Sequence, residues 1–269
     1  MDFHELPTEV KNDVEDQSLG LLEIIRDDVL VIGDWAVRAL VGESHLRFTW
    51  DIDGVLAEED MEIVRSKMIS ASLEPAAQEW GIQFRRSYAP RVDIRDDEVR
   101  ETVERLELRV ELSPPRMRER DTQHFFEFDL SEFLIREVRY HEREDAVPIR
   151  VPPAHVMAAN KLGLPADLKN NFDVAVLLMY SEIERVVESI DESDAWREMV
   201  LRRMRKRKTR LMDSTSWEGI LMRDAGINAK ELAERLGLIE RALSRKHGGS
   251  VILNPRVEPS MLLPYSFTK

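Results

Sequence analysis

The 269-residue chain contains no cysteine. That absence excludes a disulfide framework, a thiolate zinc site, an iron–sulfur cluster and a cysteine nucleophile. Long hydrophobic runs are missing too: the longest, Val174 to Tyr180, is seven residues, far short of the roughly 20 that a membrane-spanning helix needs. No bilayer crossing is expected. The opening segment, Met1 to Lys11, is acidic and interrupted by Pro7, unlike a secretory signal or an Arg-rich transit peptide, so a cytoplasmic location is the default expectation. There is no internal repeat and no low-complexity segment.

Cations are in deficit, with 39 Lys and Arg against 52 Asp and Glu and a net charge of -13. The chain as a whole therefore repels polyanions, and any nucleic-acid contact has to be local. One place offers it: between Leu201 and Arg210, the residues Arg202, Arg203, Arg205, Lys206, Arg207, Lys208 and Arg210 are all basic. Two readings stand side by side, a solvated helix face balancing the acidic stretch Glu182 to Glu198, and a phosphate-backbone patch for RNA. Hydrophobic residues at 43% and charged residues at 34% mark a globular chain with length for one large domain or two small ones.

Periodicity divides the chain. Leu19, Leu21, Leu22, Ile24 and Ile25 predict a helix over 13–27, and Val29 to Ile32 a short buried strand. Gly33 and Asp34 break that strand before a helical pattern from Trp35 to Val41. A second strand is expected around Trp50 to Leu56, then a helix from Glu59 to Trp80 closed by Gly81. From Phe84 to Val151 the period becomes two. Leu106, Leu108, Val110 and Leu112 alternate with charged residues, as do Phe126, Phe128 and Leu130, which predicts a hairpin between these two runs. A last strand, Val147 to Val151, ends at Pro152 and Pro153, and Ala154 to Lys246 is helical in pattern. The tail from Gly248 carries prolines without periodicity and reads as a packed extension or a loose end. The expected division is an α/β domain over 1–153 with an N-terminal helix, and a helical domain over 154–269.

Asp51 and Asp53 lie one residue apart on a predicted strand, so both carboxylates project from one face. Hard divalent cations take oxygen ligands, and such a pair joined by a third carboxylate from a neighbouring strand can hold Mg²⁺ or Mn²⁺ against a triphosphate. An exposed pair in an ordinary strand is the plainer reading. Asp129 and Glu111 both offer the third acid from alternating strands; Asp129 is the expected member and Glu111 its rival. His45 and His155 have no second ligand at metal spacing.

In its context the pair resembles the nucleotidyltransferase superfamily with the DNA polymerase β fold, in the branch of AbiEii-type and MenT-type toxin enzymes and related proteins. The resemblance is carried by Gly33, Ala36 and Val37 after a buried strand, then by Arg47, Thr49, Asp51 and Asp53, and downstream by Lys161 and Asp173. It spans about Val29 to Leu178. It implies an α+β fold, a mixed or antiparallel sheet flanked by helices and followed by a helical C-terminal region. It also implies transfer of a nucleoside monophosphate from a nucleoside triphosphate to a hydroxyl on RNA, tRNA included, or on protein. Asp51, Asp53 and Asp129 would hold the metal, Lys161 would contact phosphates and Asp173 would support it, with Gly33, Asp34, Arg47 and Thr49 lining the nucleotide seat. The branch further implies an antitoxin partner, and Arg202, Arg203, Arg205, Lys206 and Arg207 as the RNA-facing patch. This chain departs from the pattern at Asp34, where the family has a small residue, and at Asn170 and Asn171, where Lys-Asp is usual. Asp34 would repel a triphosphate unless a metal or an Arg neutralises it. These departures support the alternative of a catalytically silent binding or regulatory protein on the same fold.

Overall fold

The computed structural model describes residues 3–45, 47–118 and 125–245. The tail from Gly248 lies outside the described residues. Among them no helix is long and apolar enough to cross a membrane.

The fold is α+β. The first half runs α1 (Thr8–Ile25), β1 (Leu30–Ile32), α2 (Gly33–Val41), β2 (Asp51–Val55), α3 (Met61–Ser70), β3 (Glu74–Gln78), β4 (Gly81–Ser87), α4 (Asp97–Val103) and β5 (Glu107–Ser113). It continues with β6 (Arg116–Arg118), β7 (Phe125–Glu127), β8 (Leu134–Arg139) and β9 (Ala146–Val151). The helical half is α5 (Ala154–Gly163), α6 (Leu168–Met179), α7 (Ile183–Asp191), α8 (Asp194–Met212), α9 (Trp217–Asp224) and α10 (Ala229–Ser244).

Seven strands form one mixed sheet in the order β3-β4-β5-β2-β1-β9-β8, and β6 pairs with β7 in a separate ribbon. β1 is antiparallel to β2 and parallel to β9, while β2 is parallel to β5. On β2 and β5, Ile52, Val110 and Leu112 are fully buried, while Asp51, Asp53 and Glu111 keep some exposure. That alternation leaves the acids on the opposite face of the strands from the apolar side chains. α1 packs against β2, β5 and β9, burying Val10, Val14, Leu21, Leu22 and Ile25. It also buries Asp13, Glu15 and Asp16, and each has partners. Asp13 accepts from Tyr88 and Arg91, Glu15 from Arg38 and Thr49, and Asp16 from the backbone N–H groups of His141 and Glu142. In the helical half, Trp196 donates its indole N–H to the Ala159 carbonyl at 3.0 Å. Its ring lies 2.2 Å from where a β-carbon on Gly163 would stand, so α8 approaches α5 closely only because that residue is glycine.

Two sequence expectations are corrected. The helix expected from Glu59 to Trp80 stops at Ser70, and residues 74–78 form β3 instead, antiparallel to β4. Pro75 decides this. A proline inside a helix lacks an N–H and clashes with the preceding turn, but it is tolerated on an edge strand, and β3 is an edge. The hairpin expected between 106–112 and 124–134 does not form. β5 is an interior strand held between β4 and β2, and among the described residues β7 pairs with β6 alone. The expected period-two region also contains α4, capped by Asp96, whose carboxylate accepts from the N–H groups of Glu98 and Val99.

Candidate active site

β1 ends in a turn that only glycine fits. Gly33 has φ +67, and a β-carbon there would lie 2.1 Å from Asp53 Oδ2. Ile32 pairs across the antiparallel ladder with Asp53, so the turn into α2 sits directly over that carboxylate. On the other side of β2, Asp53 is in register with Glu111 of β5, and Glu111 in turn with Gln83 of β4. Gln83 donates to Glu111 Oε1 at 2.7 Å. Asp51, Asp53 and Glu111 thus share one sheet face. Burial, then the nearby charge of Asp51, then those of Glu111 and Asp34, push the Asp53 carboxyl up to about 7, against the pull of Lys169.

Beside these acids lies a charge cluster centred on Asp34. Its Oδ2 accepts from Arg47 Nη2 at 2.5 Å and Thr49 Oγ1 at 3.2 Å, with Lys169 Nζ at 3.3 Å. Its Oδ1 faces Lys161 Nζ at 3.7 Å. Asp173 completes the cluster, accepting from Arg47 Nη1 at 2.7 Å, with Lys161 Nζ also at 2.7 Å. Arg47, Lys161 and Lys169 against Asp34 and Asp173 leave one positive charge in excess. Burial works against ionising Asp34, but Lys161, Arg47 and Lys169 hold its carboxyl well below the usual range. The Lys169 ammonium is raised above its ordinary value: burial opposes this, and Asp34, Asp51 and Asp53 outweigh it.

A second layer sets these groups in place. Glu15 of α1 accepts from both guanidinium ends of Arg38, at 2.9 and 2.6 Å, and from the Thr49 N–H at 2.9 Å. Arg38 also donates to the Arg47 carbonyl at 2.8 Å, fixing the segment that carries Arg47 and Thr49. From the helical half, fully buried Arg207 donates to the Lys161 carbonyl at 3.1 Å, the Leu164 carbonyl at 2.9 Å and Asn171 Oδ1 at 2.7 Å. It caps the carboxyl end of α5, where unpaired carbonyls need donors. Asn171 passes the contact on, donating to Glu218 at 3.1 Å, and Asn170 donates to the Pro165 carbonyl at 3.2 Å. The two asparagines that depart from the family pattern therefore have definite structural partners.

A cleft of about 800 Å³ opens over the acids, lined by Gly33, Asp53, Glu111 and Lys161 at its charged end and by Trp80, Met117, Phe125 and Leu164 among its apolar residues. Asp129 lies elsewhere. It follows β7 on an exposed turn, where Oδ1 accepts from the Ser131 N–H and hydroxyl, so it is not brought beside Asp53. The carboxylate on the neighbouring strand is Glu111. The pairing of β5 with β2 that puts it there cannot be read from local alternation, which is equally good in both segments. The basic run is likewise split. Arg203 donates to the Gly163 carbonyl, Arg207 is buried, and Arg210 donates to the Ala166 carbonyl, whereas Arg202, Arg205 and Lys206 are exposed. Arg203 and Arg207 are thus not free for the RNA patch. Lys169, Glu15 and Arg38 join the candidate site without having been anticipated from the sequence, and Arg207, expected in the RNA-facing patch, supports the candidate site from within. For Lys169 a signal exists, since four residues separate it from Asp173 on one helix face.

The donor set fits a hard divalent cation such as Mg²⁺ or Mn²⁺ in chemistry: carboxylate oxygens on one face, with like charges crowded enough to lift Asp53. Among the described residues no three His, Asp or Glu side chains already converge as a cation cage, and Glu111 is turned to Gln83.

No family model matches the chain, and no curated protein matches it. Among solved structures it is similar to the solution structure of the antibiotic-resistance factor ANT(2'')-Ia, with a TM-score of 0.41 and 13% identity over 66% of this chain and 88% of that one.

Proposed function

We propose that this protein is a metal-dependent nucleotidyltransferase that moves a nucleoside monophosphate from a nucleoside triphosphate to an acceptor hydroxyl. The observation that carries this reading is Asp51, Asp53 and Glu111 on one sheet face beneath the Gly33 turn, with Lys161 and Lys169 beside them. The resemblance of the segments around Gly33, Asp51 and Lys161 to the nucleotidyltransferase superfamily supports the same conclusion.

Asp51, Asp53 and Glu111 would hold the divalent cation, which supplies charge neutralisation at the triphosphate. Lys161 and Lys169 bind phosphate oxygens from the side, and the Gly33 turn lets the backbone approach them closely. Glu111 takes the proton of the acceptor hydroxyl. The acceptor oxygen bonds to the α-phosphorus, the bond between the α-phosphorus and the bridging oxygen breaks, and pyrophosphate leaves with that electron pair. The protein's share of the catalysis is positioning and neutralisation.

RNA, including tRNA, is the acceptor we favour, with Arg202, Arg205 and Lys206 as its exposed contacts. An antitoxin-type protein partner follows if the chain belongs with AbiEii-type enzymes. A second reading, a silent nucleotide-fold binding protein, is favoured by one feature: Asp34 already engages Arg47, Lys161 and Lys169. The experiment is incubation with each α-labelled ribonucleoside triphosphate, Mg²⁺ or Mn²⁺ and total RNA, beside the Asp51→Ala, Asp53→Ala double variant. Label transferred to RNA or protein by the parent alone supports the enzyme. Binding of nucleotide without transfer supports the second reading.

A further inference from the structure

The cleft has two chemically different ends. Gly33, Asp53, Glu111 and Lys161 line one, and Trp80, Met117, Phe125, Pro114 and Leu164 contribute a broad apolar wall. The Arg116 guanidinium lies 4.3 Å from the centre of the Phe125 ring, extending that wall with a second flat surface.

Two polar side chains lining the cleft make no side-chain hydrogen bond among the described residues. Ser113 is 5% exposed and its hydroxyl has no hydrogen-bond partner. Asn160 is 7% exposed, and no hydrogen bond engages its amide among the described residues. The Ser113 hydroxyl is shut off from solvent, and a buried polar group left unpaired costs about 1–3 kcal/mol unless a ligand or water completes it, whereas the Asn160 amide is not among the solvent-shielded groups without a partner. Their positions are informative. Ser113 lies two residues beyond Glu111, on the same face of β5, and Asn160 directly precedes Lys161 on α5. Both therefore stand next to residues of the charged end while lining the same cleft as the aromatic rings.

A flat apolar wall, a hydroxyl and an amide beside a cationic and metal-competent end match a molecule with a planar heterocyclic head and an anionic tail. We propose that the apolar end is the seat of the nucleotide's base, with Ser113 and Asn160 hydrogen-bonding its edge and selecting among bases. A carboxamide offers both donor and acceptor, and a hydroxyl does the same, so the pair can match one base edge and leave groups unpaired against another. This inference rests on the nucleotidyl-transfer reading, and it assigns roles to residues that the transfer chemistry does not use.

The test uses the full chain and probes without the other half of the ligand: each of the four ribonucleosides, which carry no phosphate, and inorganic triphosphate. Binding is read by saturation-transfer NMR and by calorimetry with the parent and with Asn160→Ala, Ser113→Ala and Phe125→Ala. The expected result is that one nucleoside binds more tightly than the rest. Asn160→Ala and Phe125→Ala should each weaken it by about fivefold or more, with triphosphate affinity unchanged. Ser113→Ala should narrow the preference between bases and leave the fold intact, because a hydroxyl without a partner loses nothing in the free protein. Triphosphate binding with no nucleoside binding, or nucleoside binding indifferent to all three variants, overturns the inference while leaving the transfer reading standing. Failure of both probes overturns both.

Discussion

A β-carbon on residue 33 would stand 2.1 Å from Asp53 Oδ2, so the glycine at the end of β1 and the second carboxylate of β2 are mutually dependent. The close approach brings backbone and carboxylate together at the charged end of the cleft, and φ +67 at Gly33 makes the same demand independently. Gly33→Ala should therefore cost about 2–4 kcal/mol in urea unfolding, from strain and displacement of Asp53 together. A change under about 0.5 kcal/mol would show that the turn relaxes freely.

Asp53→Asn removes a like charge from a crowded face. It should leave the fold intact, or raise its stability by about 1 kcal/mol, and, if the protein transfers nucleotides as proposed, lower that transfer by about a hundredfold or more. In the same samples, Mg²⁺ with nucleotide should raise the melting temperature of the parent and not of the variant. Equal metal stabilisation of both proteins would place the cation elsewhere.

Within the basic run, neighbouring arginines should behave oppositely. Arg207 is fully buried against the Lys161 and Leu164 carbonyls and Asn171, so Arg207→Ala leaves several buried acceptors unpaired and should cost about 3–5 kcal/mol. Arg205 is exposed, and Arg205→Ala should stay within about 0.5 kcal/mol in chemical denaturation. If the acceptor is RNA, Arg205→Ala should instead weaken RNA binding and reduce its salt dependence.

Two buried groups, His45 and Glu15, should each lose stability in acid, while the raised Asp53 carboxyl gains stability as pH falls from about 7 and opposes the first of them. Burial, and then the nearby Arg38, depress His45 from 6.5 to about 4, so it folds as the neutral form. The unfolded chain takes up its proton first, so the His45 contribution falls as pH drops from 6.5 towards 4. Glu15 resists burial through bonds from His141, Arg38 and the Thr49 N–H, which bring its carboxyl down from 4.5 to about 2. Its stabilisation is complete above 4.5 and is lost as pH falls towards 2, on the order of 3 kcal/mol. Glu15→Gln should flatten the lower loss and His45→Gln the upper one, as read from urea midpoints across pH.

Much of the candidate site was legible locally. Asp51, Asp53, Gly33, Arg47, Lys161 and Asp173 stand in short patterns whose spacing alone puts them on a strand face, at a turn or on a helix, and the structure gathers them around one region. What failed depended on partners distant in sequence. Asp129 and Glu111 sit in equally alternating runs, and only the parallel pairing of β5 with β2 brings Glu111 beside Asp53. Pro75 was a local signal that the amphipathic pattern around it obscured.

The charge cluster shows the same division. That Asp34 would need a metal or an Arg to neutralise it beside a triphosphate followed from its place in the family resemblance, where a small residue is usual. Which cations would supply it did not follow, since Arg47 and Lys169 reach it from different elements. The basic run from Arg202 to Arg210 announced a charged helix, but the sequence carried no indication that Arg207 points inward to cap α5. Residue spacing determined the strand face, the glycine turn and the helical second half, because those obey periods of 2 and about 3.6 within one segment. The placement of Glu111 beside Asp53, the partners of Asp34 and the sorting of the arginines were decided by tertiary structure, because hydrogen-bond and charge partners are set by distance in space.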